Sequence, residues 1–207
     1  MVVSTDDQEH YFSASPAGDF TPSEISVRLA GRELVVETAG GIFSPEHVDA
    51  GTGALLRIVP EAPATGDLLD LGCGWGPIAL TMAIEAPQSR VWAVDVNERA
   101  LELTRRNAAR AECPNITASK PTEVPADVRF AAIWSNPPIR VGKTELHAML
   151  EMWLPRLVPG GEAYFVVAKH LGADSLLSWM TGRFFATHVV TKGDHYKGFR
   201  VIEVRAN

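Results

Sequence analysis

From Asp67 to the end of this 207-residue chain, short apolar strands alternate with helical segments. The strands read DLLDLG, RVWAVDV, NITAS, FAAIWS and GEAYFVVAK, and the helices cover 77–86, 98–110, 144–157 and 175–183. Parallel strands need such crossovers, and the helices then cover both faces of the sheet. Two closing strands, ATHVVTKG and GFRVIEVRA, are separated only by 194–197, which predicts an antiparallel pair. The pattern predicts an α/β, Rossmann-like fold whose seven-stranded sheet is mostly parallel with an antiparallel C-terminal strand.

The first 60 residues follow a different pattern. Residues 1–22 are polar and rich in Ser, Asp and Pro, which predicts an irregular arm. EISVRLAGRELVVETAGGIFS alternates apolar and polar residues around Ala30-Gly31, as a β-hairpin does, and 45–59 has helical spacing. We therefore divide the chain into an arm, hairpin and helix over 1–60, packed on a sheet domain over 61–207.

Composition excludes several classes of protein. No apolar run approaches the roughly 20 residues of a membrane-spanning helix, and MVVSTDDQEH lacks the basic and apolar parts of a signal peptide. Two cysteines and six scattered histidines do not give disulfide or metal-ligand spacings. We expect a cytoplasmic protein with no metal site. The net charge of −6 argues against a generally basic nucleic-acid binder but permits a local basic rim.

A glycine-rich loop, LLDLGCGWGPIAL, joins the first strand of the sheet to the following helix. Its acid and glycines are Asp70, Gly72, Gly74 and Gly76. Glycines allow a tight turn and close approach of a ligand, and the helix start offers free N–H groups. Asp95 ends the next strand 21 residues past Gly74, where a carboxylate can accept ribose hydroxyls. The spacing departs from the dinucleotide fingerprint, and Asp70 favours a cationic ligand such as S-adenosylmethionine. The glycines alone do not separate a methyltransferase from a nicotinamide enzyme.

The fourth strand of the sheet stops at Asn136-Pro137-Pro138. Prolines end strands, and the residue before a proline is held extended. Asn136 follows a parallel strand, so it shares an edge with the glycine loop and Asp95. The Asn136 side-chain oxygen and the Pro137 carbonyl can each accept one proton of a planar NH2 group. That would aim the nitrogen lone pair at a sulfonium methyl group for in-line displacement. A plain turn is the alternative.

Several motifs carry a resemblance to a known family. DLGCGWGP, AVDVNERALEL and SNPPI resemble class I S-adenosylmethionine-dependent methyltransferases of the Asn-Pro-Pro-aromatic type, which methylate planar nitrogens. HYFSASP (10–16), GIFSPEHVDAGT (41–52), NPPIRVGKTELH (136–147) and KGFRVIEVRA (197–206) resemble the small-subunit ribosomal RNA guanine-N2 methyltransferases, known as RsmC, in a short single-domain form.

The resemblance implies methyl transfer from S-adenosylmethionine to a guanine N2 of 16S ribosomal RNA, free or in the small subunit. The implied catalytic residues are Asn136, Pro137 and Pro138. The implied cofactor-binding residues are Asp70, Gly72, Cys73, Gly74, Gly76, Asp95 and Val96. The implied substrate-binding residues are Phe43, Ile139, Arg140, Lys143 and Lys169. Monomer and homodimer both stay open, and no membrane partner is implied.

The chain departs from the family pattern at two positions. Ile139 stands where the broader class usually carries an aromatic residue that stacks on the base. The aromatic residues considered in its place are Phe12, Phe43 and Trp134. The third strand is followed by Ser119 and Lys120 rather than by an acid that reads the adenine amine, so either a backbone group or Glu123 takes that role.

Other side chains near these motifs have simpler interpretations. Arg140 and Lys143 follow the Asn-Pro-Pro motif and either bind a phosphate or form a solvated loop, and Lys169 ends a strand on the same edge. Asp49 is predicted to cap a helix or lie on the surface. Cys73 has no histidine partner in sequence, which argues against a nucleophilic role.

The motif leaves alternative functions open. Adenine N6 and a protein glutamine amide also present a planar NH2, and the acidic charge favours the protein substrate. A noncatalytic cofactor-binding or RNA-binding module would carry a damaged loop or motif, and neither is damaged. A nicotinamide oxidoreductase conflicts with the glycine spacing and with Asn-Pro-Pro.

Overall fold

The computed structural model of the protein describes residues 20–207. Within that range the strands are β1 (Pro22–Leu29), β2 (Arg32–Ala39), β3 (Asp67–Leu71), β4 (Arg90–Val94), β5 (Ile116–Ser119), β6 (Phe130–Ser135), β7 (Leu157–Ala168), β8 (His188–Tyr196) and β9 (Phe199–Ala206). The helices are α1 (Ala50–Ile58), α2 (Pro77–Glu85), α3 (Glu98–Arg110), α4 (Lys143–Trp153) and α5 (Ala173–Phe184). Short 3₁₀ turns lie at Pro121–Glu123, Ile139–Val141, Leu154–Arg156 and Lys169–Leu171.

The main sheet has seven strands in the order β5-β4-β3-β6-β7-β9-β8. Neighbours from β5 to β7 are parallel, and β9 runs antiparallel to both β7 and β8. The predicted fold class is therefore confirmed. Because β9 is reversed, its amino end lies at the same edge as the carboxyl ends of β3, β4, β6 and β7. This edge brings together loops that are far apart in sequence.

Helices cover the sheet on both faces because its strands carry apolar side chains on both sides. Leu68 packs into a core with α1, α2, α3 and the β1–β2 hairpin. Its neighbour Leu69 packs into a second core with α4 and α5. A strand that is apolar on both faces is stable only in such a three-layer arrangement.

The β1–β2 hairpin forms a separate two-stranded sheet, as predicted. Its turn is Ala30-Gly31, and both residues have positive φ, 45° and 75°, which suits the twist of a two-residue hairpin. The Asn107 side chain on α3 fastens the hairpin, accepting from the Glu37 backbone N–H at 2.6 Å and donating to the Glu37 carbonyl at 2.9 Å. Asn107 also donates to the Trp75 carbonyl at 2.9 Å, so it joins the hairpin to the glycine loop.

Several predicted boundaries shift in the structure; the helix predicted over 144–157, for example, ends at Trp153, and β7 already begins at Leu157. The first helix begins at Ala50 rather than at 45, because Asp49 is extended (φ −53°, ψ 146°) and its side chain caps the helix. Strand β8 continues through Tyr196, so the turn before β9 is Lys197-Gly198, both with positive φ, rather than 194–197. Across residues 20–207, no helix is long and apolar enough to cross a membrane.

Candidate active site

The glycine loop between β3 and α2 lies open at the ligand edge of the sheet. Gly72 and Gly74 have φ of 81° and 57°, and a Cβ added at either would meet no atom within 4 Å. Gly76 differs, because a Cβ there would lie 3.1 Å from the Thr104 side chain. The N–H groups of Gly72 and Cys73 donate to the Val94 carbonyl at 2.8 and 3.1 Å. The first two glycines thus leave room for a ligand against the backbone, and the third serves helix packing.

Asp70 lies beneath this loop and is fully buried. Its Oδ2 accepts from the Ala79 backbone N–H at 2.9 Å, which caps the first turn of α2. Its Oδ1 is buried with no hydrogen-bond partner among residues 20–207. Burial raises the pKa of Asp70 to about 8; the bond from Ala79 opposes this, and the Asp95 charge adds to it. An unpartnered carboxyl oxygen under an open glycine loop fits a positively charged ligand, as S-adenosylmethionine is.

Asp95 follows β4 and shapes the same loop. Its Oδ2 accepts from the Gly74 N–H at 3.0 Å and its Oδ1 from the Asn97 N–H at 2.9 Å. Burial raises the pKa of Asp95, and these backbone bonds oppose the shift. A carboxylate has about four acceptor sites, so the half-buried Asp95 can accept from a diol in addition to these backbone groups. The adjoining Val96 is 48% exposed and offers an apolar surface beside it.

Asn136 lies just past β6 with its side-chain amide held by two acceptors. Its Nδ2 donates to Asp49 Oδ2 at 2.8 Å and to Thr52 Oγ1 at 3.1 Å. A carboxylate can only accept, so the amide nitrogen must face Asp49 and the orientation of the amide is fixed. Asn136 Oδ1 has no hydrogen-bond partner in the described part of the chain and is the end left to accept from a donor.

The two prolines form a tight turn directly after Asn136. The Pro137 carbonyl accepts from the Ile139 N–H at 2.8 Å, around Pro138 at φ −74° and ψ 77°, an inverse γ-turn. One lone pair of the Pro137 carbonyl is thereby occupied, and the other can accept a second proton from an NH2 group.

The predicted substrate-binding residues are scattered around the ligand edge. Phe43 is 53% exposed, and Lys143 and Lys169 are exposed at the starts of α4 and of a 3₁₀ turn. Ile139 is half-buried and packs on the second core. The side chain of Arg140 lies outside the described part of the structure, and Phe12 lies outside the described residues altogether.

Trp134 is too deeply buried to offer its ring to a ligand, contrary to one of the alternatives that the sequence leaves open. It is 1% exposed, because the side chains of a central strand such as β6 lie between two layers of helices. One aromatic residue near the site that the sequence argument did not name is Phe199, the first residue of β9. A Cβ at Gly51 would lie 3.1 Å from Phe199 Cε1 and 3.2 Å from Asn136 Nδ2, so the ring and the Asn136 amide both border Gly51.

The residues that follow β5 do not decide whether a backbone group or Glu123 would bind the adenine amine. Ser119 is buried, and its carbonyl accepts from the Asp95 N–H at 3.4 Å. The Lys120 ammonium pairs with Glu98, and the Lys120 N–H donates to Glu123 Oε2 at 2.8 Å. The choice between a backbone group and Glu123 stays a prediction.

The fold and this edge together define a class I methyltransferase: the Rossmann-like sheet with a reversed strand, the glycine loop under Asp70, and Asn-Pro-Pro beyond β6. Residues 33–202 match the family described as the methyltransferase small domain. The chain belongs to that family.

Individual relatives agree with this assignment. The chain is 34% identical over 200 residues to the uncharacterised protein YbxB of Bacillus subtilis, covering 95% of this chain and 98% of the relative. It is 31% identical over 177 residues to the ribosomal RNA small subunit methyltransferase C of Mannheimia succiniciproducens, covering 82% of this chain and 51% of that protein. The chain thus spans about half the length of such relatives.

A solved structure has the same fold. The 16S ribosomal RNA N2 G1207 methyltransferase (RsmC) of Thermus thermophilus, in complex with AdoMet and guanosine, superposes with a TM-score of 0.74 at 22% identity. The match covers 93% of this chain and 52% of that one.

Proposed function

We propose that this protein is an S-adenosylmethionine-dependent N-methyltransferase whose target is the exocyclic N2 of a guanine in 16S ribosomal RNA. The observation that carries the proposal is the fixed Asn136 amide, whose Oδ1 is left to accept at the same edge of the sheet as the glycine loop. The methyltransferase relatives, and the neighbour solved with AdoMet and guanosine, support the substrate class.

The glycine loop and Asp95 would hold the cofactor. The open backbone at Gly72 and Gly74 suits its methionine part, with the buried Cys73 between them, Asp70 beneath and Gly76 packed on α3. Asp95 would accept from the ribose diol, and Val96 would contact the adenine ring. When bound, S-adenosylmethionine supplies an electrophilic methyl group on a sulfonium.

The Asn-Pro-Pro turn would prepare the acceptor nitrogen. Asn136 Oδ1 and the free lone pair of the Pro137 carbonyl would each accept a hydrogen bond from the NH2 group. This geometry would make the nitrogen pyramidal and direct its lone pair at the methyl group. Methyl transfer would form the N–C bond as the S–C bond breaks with its electron pair left on sulfur, and the methylated nitrogen would then release one proton to solvent. Catalysis here is mainly positioning, and Pro138 keeps the turn rigid.

The rim of the site has features that favour an RNA substrate. Within residues 20–207, the exposed cations Arg57, Lys143, Lys169 and Lys197 make no ion pair with a carboxylate, and Arg57 and Lys197 lie over the Tyr196 ring. The Lys169 N–H donates to the Gly198 carbonyl at 2.9 Å, which joins two of these cationic turns. Exposed cations that no carboxylate neutralises suit phosphates despite the net charge of −6.

Phe199 would supply the flat surface that Ile139 lacks. Its half-buried ring and the Asn136 amide both border Gly51, which would bring the ring near a base held by Asn136. Phe43, exposed at the same edge, is a second contact for the RNA. We place the enzyme in the cytoplasm with the small ribosomal subunit, as a monomer or a homodimer. Adenine N6 or a glutamine amide is the alternative acceptor.

Tritium-labelled S-adenosylmethionine tests the proposal. Wild type and Asn136→Ala would be incubated with small subunits lacking guanine-N2 methylation, with free 16S RNA and with total cell protein. We expect label as N2-methylguanosine in RNA, lost in the variant. Label in protein, as N6-methyladenosine, or undiminished by the variant would refute it.

A further inference from the structure

We propose that Asp49 and Thr52, at the start of α1, are positioning residues that orient the Asn136 amide for the acceptor nitrogen. This inference rests on the proposed function. Asp49 and Thr52 lie 87 and 84 residues before Asn136 in sequence, and both bond its Nδ2. We call this pair the α1 brace.

The α1 brace is itself rigid. Asp49 Oδ2 also accepts from the backbone N–H groups of Gly51 at 2.7 Å and Thr52 at 3.2 Å, so it is fixed to the first turn of the helix. A carboxylate at a helix N-terminus is further stabilised by the helix dipole. Thr52 is 5% exposed on the same turn. The orientation of Asn136 is therefore set by a secondary-structure element rather than by its own loop.

The α1 brace prevents the Asn136 amide from turning over. An unconstrained Asn side chain can turn its amide by 180°, which exchanges an acceptor for a donor. A turned Asn136 would present NH2 to the substrate NH2 and press Oδ1 against the Asp49 carboxylate. Both contacts are repulsive, so two acceptors at 2.8 and 3.1 Å permit one orientation only. Because Asn136 Oδ1 is already oriented, less side-chain freedom has to be lost when the transition state forms.

Helix capping alone is the competing explanation for Asp49, and substitutions separate the two roles. Asp49→Ser keeps a good N-cap, but the serine oxygen lies one bond closer to the backbone and loses Asn136. Asp49→Asn keeps an acceptor oxygen in the original place. Thr52→Val removes the second acceptor at nearly constant shape, and Thr52→Ser retains it.

Methyl transfer to the RNA substrate would be measured for these four variants, each alone and combined with Asn136→Ala. We expect Asp49→Ser to lower kcat by about tenfold or more, with unchanged KM for S-adenosylmethionine and unchanged Tm. Thr52→Val should lower kcat severalfold, and Asp49→Asn and Thr52→Ser should remain within about threefold of wild type. Combined with Asn136→Ala, Asp49→Ser should add less than about a twofold loss.

Two outcomes would overturn the inference: full activity of Asp49→Ser, or an equal loss with and without Asn136. The Asn136 NH2 resonances, assigned by their absence in Asn136→Ala, provide a readout that needs no substrate. They should exchange slowly with solvent in wild type and rapidly in Asp49→Ser. If wild type methylates none of the three substrates, the proposed function fails. The NH2 exchange still decides whether the brace holds Asn136.

Discussion

Two glycines in the first turns of α1 offer a sharp test of how closely the site is packed. Gly51 is buried, and a Cβ there would lie 2.9 Å from Asp49 Oδ2, 3.1 Å from Phe199 Cε1 and 3.2 Å from Asn136 Nδ2. Gly53 is exposed, and a Cβ there would meet nothing within 4 Å. Gly51→Ala and Gly53→Ala are therefore the same chemical change in one helix, with opposite surroundings.

The structure gives the expected size of each effect. Alanine is better than glycine within a helix by about 1 kcal/mol, so Gly53→Ala should raise Tm by about 2–4 °C. Gly51→Ala gains the same propensity, but overpacking costs about 1–3 kcal/mol, so its net effect lies between zero and a loss of about 2 kcal/mol. The displaced atoms belong to Asp49, Phe199 and Asn136. We therefore expect activity to fall by about tenfold or more, beyond any loss of stability.

Thermal unfolding and single-turnover methyl transfer would be measured on both variants and on wild type at one temperature, well below each Tm. Gly53→Ala should be fully active and more stable. If Gly51→Ala matched Gly53→Ala in both Tm and rate, the close approach of Asp49, Phe199 and Asn136 around Gly51 would be wrong. The prediction for Gly51→Ala would also be wrong if its rate fell only in proportion to the fraction of its molecules that are unfolded.

Three further predictions follow from the same site. Because burial raises the pKa of Asp70 to about 8 from an ordinary 3.8, the unfolded chain ionises Asp70 first, and the native state loses stability as pH rises from about 4 to about 8. The free energy of unfolding of Asp70→Asn should therefore rise relative to that of wild type between pH 6 and pH 8.5, by at most about 1.4 kcal/mol per pH unit. If urea unfolding gave the same difference at every pH, this prediction would be wrong. Lys169→Ala should weaken RNA binding and lower its salt dependence by about one phosphate contact. Lys192 pairs with Asp174 at 3.7 Å, so Lys192→Ala should have neither effect, and equal salt slopes for the two variants in a filter-binding titration would refute this. Phe199→Leu should lower kcat/KM for RNA about tenfold through lost stacking, while leaving S-adenosylmethionine affinity, measured by calorimetry, unchanged. If the variant kept the kcat/KM of wild type, the Phe199 ring would not contact the base.

The sheet could be predicted from sequence because its signals are local. Leu68 and Leu69 point to opposite faces and both are apolar, so β3 had to be covered twice. Asn97 caps α3 through bonds to the N–H groups of Arg99 and Ala100, and that helix begins where its sequence pattern begins. The start of α1 differs from the prediction because 45–49 continues the helical spacing, whereas in the structure Asp49 caps the helix and Ala50 begins it.

The contacts around Asn136 could not be predicted in the same way, because they join three distant segments. Asp49 and Thr52 come from α1, Asn136 from the end of β6, and Phe199 from the start of β9. A sequence pattern reports spacing along one element, and no period links these positions. One signal was available for Phe199: the reversed last strand, predicted from its short connection, must begin at the ligand edge.

The division of the chain at residue 60 stays a prediction, but the site itself crosses that boundary. The hairpin reaches the glycine loop through Asn107, and α1 reaches Asn136 through Asp49 and Thr52. Residues before 60 therefore contribute to both halves of the candidate site. A fragment beginning at residue 61 would keep the glycine loop and Asn-Pro-Pro in its sequence and lose the side chains that hold Asn136. On the proposed function, Asn-Pro-Pro would supply the chemistry, and the first turn of α1 would set the orientation in which the motif acts.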